Sequence, residues 1–260
     1  MDSTEIQNII SFDTQPCHNS TLNDMALDIF KISYLPQAVD EEVLSANHRE
    51  IKEQLASLKF YDLKADCPTH AGILMFGKNP KNFLFGAYVQ YVRFAGTDVT
   101  SDFEFEHRFT GDLTTQMRIM EQFINSQIIN KKAVAVEGTL HEEYIYKYPP
   151  YAIRELLYNA VIHRDYQANA PIKFYEFSDR IEISNPGGLF GIVRPENFPD
   201  KNDYRNPVIA EASKILGYVN TFNVGIKRAK AALHKNNNPE PVFELNDLTS
   251  FGCTVFKRHD

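Results

Sequence analysis

The sequence of 260 residues contains only three cysteines, Cys17, Cys67 and Cys253, which are far apart and form no C-x-x-C pair. Their odd number and wide spacing argue against a disulfide framework and a structural zinc site, and fit a reducing cytoplasm, the location we expect. No apolar run approaches the roughly 20 residues that a helix needs to cross a bilayer, which excludes a membrane-spanning helix. The first residues, MDSTEIQNIISFD, lack the basic and apolar regions of a secretory signal, so we do not expect secretion.

The chain also lacks an excess of positive charge. It has 27 lysine and arginine residues against 34 aspartate and glutamate residues, a formal net charge of -7. A chain this acidic is a poor candidate for binding nucleic acid over its whole surface, although a local basic patch stays open. The hydrophobic share of 43% and the charged share of 23% are typical of a globular protein with one large domain or two modest ones.

Several familiar catalytic motifs are missing. Gly77 and Lys78 stand together in FGKNPKNF, but the G-x-x-x-x-G-K-[ST] spacing of a phosphate-binding loop is not there. The eight histidines never form H-E-x-x-H, and no G-x-S-x-G segment occurs. Basic and aromatic residues do not alternate as they do on surfaces that stack single-stranded nucleic acid. These absences argue against a P-loop enzyme, a metallopeptidase and a serine hydrolase.

The first half of the chain is interpreted as a smaller α+β unit. Residues 1–39 are polar and irregular, and we expect a leader with one weak helix there. Asp40 is a candidate helix N-cap, and periodic apolar residues follow it. Later runs are rich in β-branched and aromatic residues, as strands are. The predicted elements, in chain order, are a helix over 40–58, strands over 71–77 and 87–96, a helix from near Asp112, and one or two strands over 132–148.

The sharpest break in the chain is the pair Pro149-Pro150. Proline is tolerated in a first helical turn, so a helix should begin directly after it. The segment 151–166 has the strongest helical period in the sequence. Two short β-rich runs then predict a hairpin of residues 172–177 and 180–184. We place a domain boundary near residue 148, which divides the chain into 1–148 and 149–260.

Three polar residues form a row on the 151–166 helix. Glu155 and Asn159 are four residues apart and therefore lie on one side, and His163 continues the row. A carboxylate there can orient or deprotonate a water molecule, while an amide oxygen ligates Mg²⁺ beside a phosphate. Helical spacing alone also fits a solvated polar face opposite the apolar stripe, and that alternative stays open.

Two glycine-containing segments follow. In the first, a predicted strand runs into Asn185-Pro186-Gly187-Gly188, where the glycines allow a positive φ and close approach of a ligand. Asn185 could offer its amide to the edge of a base, and the alternative is a tight turn that ends an edge strand. In the second segment, Gly225 begins a helix, and backbone N–H groups at a helix start attract phosphate. The charges of Lys227, Arg228 and Lys230 would assist, or form only a solvated basic face.

These segments resemble a known superfamily. ELLYNAVIH resembles the N-box of the GHKL ATPases, which include gyrase, histidine kinases and MutL. The ordered segments RELLYNAVIHRDY, DRIEISNPGGLF, YRNPVIAEASKILGYVN and VGIKRAKAAL more closely resemble a group of bacterial transcriptional regulators labelled RecG-like helicase C-terminal proteins. The stretch THAGILMFGKNPKNFLFGAYVQYVRFAGTD is similar to the middle region of that family, so the resemblance covers most of residues 10–257. HRDY together with ISNPGGL is specific to this group.

The resemblance implies roles for the residues of the helix. In the GHKL ATPases an acidic residue holds the catalytic water, and an asparagine four positions later holds the magnesium. Glu155 matches the general base, and Asn159 matches the metal ligand, which also contacts the nucleotide. His163 belongs to the HRDY signature, and we count it among the nucleotide-binding residues.

The resemblance also implies a nucleotide pocket around the glycines. Asn185 stands where GHKL ATPases have the aspartate that accepts a hydrogen bond from the adenine amino group. An amide oxygen can accept that bond too, but the loss of charge should weaken adenine recognition. Gly187 and Gly188 match the turn beside the base. Gly225 matches the second glycine of a Gly-x-Gly-Ile segment, whose first glycine is Asn223 in this sequence, and the added side chain weakens the match to a phosphate loop.

Two further groups of residues have structural interpretations. In HRDY, an ion pair of Arg164 with Asp165 covered by Tyr166 would fix the exit of the helix. Asn206 precedes a proline and makes a good helix-starting turn. The functional alternative for its neighbour Arg205 is contact with a phosphate.

The sequence therefore predicts an α+β protein of two lobes, with a C-terminal GHKL (Bergerat-like) sandwich of helices on a mixed sheet. The expected function is an ATP- and Mg²⁺-binding regulatory module of a transcriptional regulator, with weak ATPase activity as a further expectation. One alternative is a degenerate GHKL-like scaffold or dimerisation module without catalysis, and another is a protein that binds DNA directly. Relatives usually carry a Schlafen/AlbA-type DNA-binding domain before this region, so we expect a fragment or a shortened member, DNA contact through a domain absent from this chain, and a homodimer.

Overall fold

The computed structural model describes residues 11–135, 138, 140–220 and 224–258. This part of the chain contains eight α-helices and ten strands, together with short 3₁₀ and π-helical segments. The helices are α1 Leu35–Ala38, α2 Glu41–Ser45, α3 Ile51–Ser57, α4 His70–Phe76, α5 Leu113–Phe123, α6 Pro150–His163, α7 Pro207–Ile215 and α8 Gly225–Lys235. The strands are β1 Tyr61–Asp62, β2 Cys67–Pro68, β3 Val89–Phe94, β4 Phe103–Phe109, β5 Lys131–Ala135, β6 Glu142–Tyr146, β7 Ile172–Glu176, β8 Arg180–Pro186, β9 Val242–Glu244 and β10 Ser250–Phe256. None of the described helices combines the length and apolar character needed to span a bilayer.

The main sheet has six strands in the order β4-β3-β7-β8-β10-β9. Strands β3 and β7 pair in parallel, and each other neighbouring pair is antiparallel. The predicted α+β class with a mixed sheet is therefore confirmed. The hairpin predicted over 172–184 is confirmed as β7 and β8, with Phe174 opposite Ile183. The strands predicted over 132–148 form a separate hairpin of β5 and β6.

The sheet continues across the domain boundary that the sequence predicts near residue 148. Strands β3 and β4 precede that residue, and the other four strands of the sheet follow it. A parallel connection from β3 to β7 needs a long crossover, which α5, the β5–β6 hairpin and α6 provide. As a division into domains, the boundary stays a prediction.

Helix α6 lies at the centre of the fold, against β7 and β8 on one side and α8 on another. Residues on most of its circumference are buried, including Ile153, Glu155 and Tyr158. The helix predicted after the double proline is confirmed, but it does not bury only the single predicted stripe. A helix covered by other elements on several sides leaves little of its surface to solvent.

The N-terminal segment is part of the core, contrary to the expectation of a polar leader. Phe30 and Tyr34 are 0% and 2% exposed and lie in a π-helical segment that continues into α1. Asp13, which is fully buried, accepts hydrogen bonds from the backbone N–H groups of Val208 and Ile209. It therefore caps α7 from a position 195 residues earlier in the chain.

Two local predictions in the first half are wrong. The apolar segment 71–77, predicted as a strand, lies almost wholly in helix α4, which Thr69 caps by accepting a hydrogen bond from Gly72 N. Every residue from Ala71 to Phe76 is buried, so the sequence carries no alternation of polar and apolar positions to distinguish helix from strand. The predicted 40–58 helix is two helices, α2 and α3, separated at residues 46–50.

Candidate functional site

One cavity of about 940 Å³, its open mouth included, lies between α6, the end of β8 and the start of α8. The structure brings six of the seven predicted site residues to the lining of this cavity. They are Asn159, His163, Asn185, Gly187, Gly188 and Gly225.

Two of the three residues in the polar row of α6, Asn159 and His163, face this cavity. Asn159 Nδ2 donates a hydrogen bond to the backbone oxygen of Glu155 at 2.6 Å, which fixes the amide and leaves Oδ1 as its acceptor. The ring of His163 stacks on Tyr204, with centroids 5.5 Å apart. Burial, as the main cause, and the nearby charge of Arg205 together lower the pKa of His163 to about 4. His163 is therefore neutral at neutral pH and can accept or donate one hydrogen bond.

Glu155 lies behind the cavity wall and does not line it. Its side chain is 3% exposed, and Oε1 accepts a hydrogen bond from Arg154 Nη2 at 3.2 Å. Arg154 also contacts Glu121 on α5 at 3.3 Å, so it joins two carboxylates. On the other side, a Cβ atom placed on Gly225 would stand 2.5 Å from Glu155 Oε2. The carboxylate is thus covered by the first residue of α8.

The backbone of the turn after β8 requires glycine at both positions, 187 and 188. Gly187 has φ +95°, and a Cβ on Gly188 would clash with the backbone oxygen of Asp247. Their N–H groups donate to Thr249 O at 2.7 Å and Leu248 O at 3.3 Å, so the turn is packed against this neighbouring segment. Those N–H groups are used within the protein, although both glycines line the cavity together with Asn185.

Asn185 is 2% exposed and lies on the same face of β8 as Ile181 and Ile183. Its Nδ2 donates to the backbone oxygen of Pro186 at 3.2 Å. Within the described chain, Asn185 Oδ1 makes no hydrogen bond, so the amide presents an acceptor. The strand β8 lies between β7 and β10, so the alternative of a turn that ends an edge strand does not apply.

The start of α8 is at Gly225, as the sequence predicts, whereas Asn223 lies outside the described residues. The basic residues of α8 are partly neutralised. Lys227 Nζ is 2.8 Å from Asp200 Oδ1, and Lys230 Nζ is 3.2 Å from Glu240 Oε2. Arg228 is exposed.

The HRDY segment is built differently from the expectation. Arg164 is 1% exposed and donates from Nη2 to the backbone oxygens of Ala168 and Ala170, with its guanidinium over the Tyr166 ring. No ion pair joins it to Asp165 among the described residues. The positive charge of the guanidinium instead meets two backbone carbonyl oxygens and the face of the Tyr166 ring, and burial lowers the pKa of Arg164. The structural interpretation of the cluster holds, but the expected Arg–Asp pair does not form.

Arg205 and Asn206 both support the site from outside the cavity. Arg205 Nη2 donates to Gly188 O at 3.2 Å, and its guanidinium lies 4.7 Å from the Phe190 ring centroid. Asn206 Nδ2 donates to the last carbonyls of α6, at Ile162 and Arg164, at 2.8 Å each. Arg205 therefore positions the glycine turn in this structure.

The sequence did not identify the apolar walls of the cavity. Phe190 and Tyr204 lie at the ends of two segments that resemble the family, whereas Phe198 and Phe251 lie outside those segments. The aromatic residues concentrated between positions 190 and 204 were the signal that could have shown these walls. The aromatic residues at the lining are Phe190, Phe198, Tyr204 and Phe251. Flat aromatic faces with a few convergent amides are typical of sites for planar ligands.

The donor set fits a magnesium ion held mainly by a phosphate. Among the described residues, no group of three or more His, Cys, Asp or Glu side chains could hold a metal by itself. Mg²⁺ keeps several waters and takes one or two protein oxygens beside substrate phosphates. Asn159 Oδ1 is such a single oxygen, since its Nδ2 is fixed by Glu155.

The comparisons with known proteins agree with this architecture. Residues 169–255 match the family model described as "Putative ATP-dependent DNA helicase recG C-terminal". The RecG-like ATPase-type resemblance is thereby confirmed for this part of the chain, which contains Asn185, both turn glycines and Gly225 and begins after α6. No curated protein matches the chain.

Among solved structures, the DIP2311 protein from Corynebacterium diphtheriae is similar to this chain, with a TM-score of 0.71 and 21% sequence identity. The match covers 96% of this chain and 48% of the DIP2311 chain, so this chain spans about half the length of that protein. At this identity the likeness shows a shared fold, which includes both halves of the sequence.

Proposed function

We propose that the cavity binds a nucleotide of the ATP type together with Mg²⁺, and that the chain is the nucleotide-binding regulatory module of a transcriptional regulator. The observation that carries the proposal is the meeting of six separately predicted residues at one cavity. They come from three segments spread over 67 positions, from Asn159 to Gly225, and only the fold brings them together. The match of residues 169–255 to an ATPase-type family supports the same ligand class.

The residues suggest how a nucleotide would be oriented. The base would lie among the aromatic and aliphatic walls with its amino group toward Asn185 Oδ1. The phosphates would extend toward Asn159 and the first turn of α8, where backbone N–H groups are not used by the helix. Mg²⁺, when bound, supplies positive charge that stabilises the phosphate oxygens, and Asn159 Oδ1 would be its protein ligand. The neutral ring of His163 would fill the wall between these two ends.

A weak ATPase activity is the finer part of the proposal. Glu155 would act as the base, but its carboxylate contacts Arg154 and is covered by Gly225. It can reach a water molecule beside the phosphates only if the first turn of α8 moves by the width of a water molecule. Nucleotide binding without turnover therefore follows more directly from the contacts than hydrolysis does.

The covered position of the Glu155 carboxylate also favours a second candidate, a GHKL-like scaffold without catalysis. Arg154 pairs with the buried carboxylate of Glu155 on α6 and also contacts Glu121 on α5, so these contacts join α5 to α6 independently of any ligand. Removal of one partner of such a pair leaves an uncompensated buried charge. The two candidates differ in whether the protein binds ATP when it is added.

The test is calorimetric titration of the full chain with ATP, in the presence of Mg²⁺ and in the presence of a chelator. Magnesium-dependent binding that is lost in Asn159→Ala supports the nucleotide-binding module. No heat at millimolar ATP favours the scaffold. For turnover, Glu155→Ala should abolish phosphate release and leave binding largely intact, whereas unchanged release excludes Glu155 as the base.

DNA contact belongs to the regulatory part of the proposal. The acidic partners of Lys227 and Lys230 reduce the positive potential of α8, so the described surface favours DNA contact through another domain. Retention of labelled DNA that falls with salt and weakens in Lys227→Gln/Arg228→Gln would instead assign DNA binding to this chain.

A further inference from the structure

An ion pair joins two walls of the cavity at its rim. Lys227 lies in the first turn of α8 and lines the cavity, and its Nζ is 2.8 Å from Asp200 Oδ1. Asp200 lies in the segment between Phe198 and Tyr204, and its neighbours Pro199 and Lys201 line the opposite wall. The pair therefore connects the start of α8 to this segment, next to the proposed position of the phosphates.

The Lys227–Asp200 pair is exposed, so Lys227 can exchange Asp200 for another anionic group at little cost. The side chains of Lys227 and Asp200 are 54% and 73% exposed. The hydrogen bond from Lys227 lowers the pKa of Asp200, so the carboxylate is ionised at neutral pH. Exposed ion pairs contribute little to stability, and a released Asp200 would return to water without leaving a buried charge.

Lys227 lies in the first turn of α8 itself, whereas Lys201, the other lysine at the cavity, lies on the opposite wall. Arg205, the other cation beside the glycine turn, is held by Gly188 O and stacks on Phe190. Lys227 adds its charge to the positive end of the helix dipole in the same turn of α8. Its present partner is a carboxylate, which is itself an anionic group.

We propose that Asp200 competes with the anionic group of the ligand for Lys227, and that binding of a phosphate exchanges one partner of Lys227 for the other. This inference rests on the proposed function, because it names a residue that sets the affinity of that same site for charged ligands. Asp200 lowers the affinity for phosphates, and it does not change the affinity for the uncharged part of the ligand. Selectivity among ligands that share a base then depends on their charge.

The test uses the full chain and the series adenosine, AMP, ADP and ATP, with affinities measured by calorimetry at fixed salt. Asp200→Asn should bind AMP, ADP and ATP about two- to fivefold more tightly than the wild type, the size expected for loss of one exposed competing charge. Binding of adenosine should not change. In Lys227→Gln the affinity for the phosphates should fall, and the additional change Asp200→Asn should bring no gain.

Glu240→Gln is the matched control. Glu240 pairs with Lys230, one turn further along α8, at 3.2 Å and with a similar exposure, but neither residue lines the cavity. This variant changes the net charge as Asp200→Asn does, so its affinities should equal those of the wild type. Equal gains in Glu240→Gln and Asp200→Asn, or an equal gain for adenosine, would overturn the exchange at Lys227.

The failure of the proposed function has a different signature. If no member of the series binds the wild type or any variant, the nucleotide assignment itself is wrong and the exchange is overturned with it. If ATP binds the wild type and Asp200→Asn with the same affinity, the nucleotide assignment stands and only the competition by Asp200 is refuted.

Discussion

The Oε2 atom of Glu155 lies 2.5 Å from the point at which a Cβ atom on Gly225 would stand. This contact joins the centre of α6 to the first residue of α8, and Asn159 Nδ2 is only 3.3 Å from the same point. The glycine is therefore required by packing against the carboxylate and the amide of the predicted site. A side chain at position 225 would displace the helix start or the two polar groups.

The contact predicts the effect of Gly225→Ala. The added methyl group overpacks a buried position, and we expect the free energy of unfolding to fall by about 1–3 kcal/mol. Urea denaturation measures this change. In the background of Glu155→Ala the methyl group has more room, so the same substitution should cost less. Equal costs in both backgrounds would show that the two residues do not meet.

His163 predicts a pH dependence of stability. Its folded pKa is lowered from 6.5 to about 4, chiefly by burial, so the unfolded chain binds the proton more readily. The stability that the neutral ring contributes is present above pH 6.5 and is lost as the pH falls toward 4. The free energy of unfolding lost between these two pH values should be on the order of 2–3 kcal/mol.

Denaturation between pH 7 and pH 4 tests the role of His163. His163→Phe keeps a ring against Tyr204 but cannot titrate, so its stability should fall less steeply with acid than that of the wild type. The exposed His48→Gln is the control and should follow the wild type. An identical acid dependence in His163→Phe would rule out His163 as the source.

Asn185 predicts a preference for a ligand with an amino group. Its Nδ2 is committed to Pro186 O, so Oδ1 can accept from adenine but cannot pair with the carbonyl of hypoxanthine. We expect ATP to bind about two- to tenfold more tightly than ITP, as for one neutral hydrogen bond. Asn185→Ala should remove this preference, and Asn202→Ala, at another wall of the cavity, should keep it. A preference that survives in Asn185→Ala would place the base elsewhere.

Asp13 predicts that the N-terminal segment stabilises the far end of the chain. Asp13→Ala removes the acceptor for Val208 N and Ile209 N, and the free energy of unfolding should fall by about 1–2 kcal/mol, as for a lost helix cap. Urea denaturation checks this value, with the exposed Asp28→Ala as the control. Equal stability of Asp13→Ala and the wild type would contradict the capping role.

The sequence was sufficient to predict an element of the fold where the pattern that determines it is local. The period of α6, the turn residues between β7 and β8, and the glycine at the start of α8 each determine their own element, and all three predictions are confirmed. For the site, the row of Glu155, Asn159 and His163 could be placed on one side of a helix from spacing alone.

The sequence was insufficient to predict the surroundings of a residue where its burial depends on partners far away in the chain. Nothing near Asp13 indicates that it caps α7, because its partners are the N–H groups of residues 208 and 209. Segment 71–77 is buried on every side, so its apolar run does not distinguish helix from strand. The depth of Glu155 depends on how closely α8 approaches α6, which no spacing within α6 can show.

A crystal structure of the full chain grown with a non-hydrolysable ATP analogue and Mg²⁺ tests the nucleotide site most directly. We expect the base beside Asn185 and the glycine turn, the metal near Asn159, and the phosphates at the start of α8 with Lys227 released from Asp200. An analogue bound outside this cavity would contradict the proposed site, and a Lys227–Asp200 pair that is still intact at saturating nucleotide would contradict the exchange at Lys227.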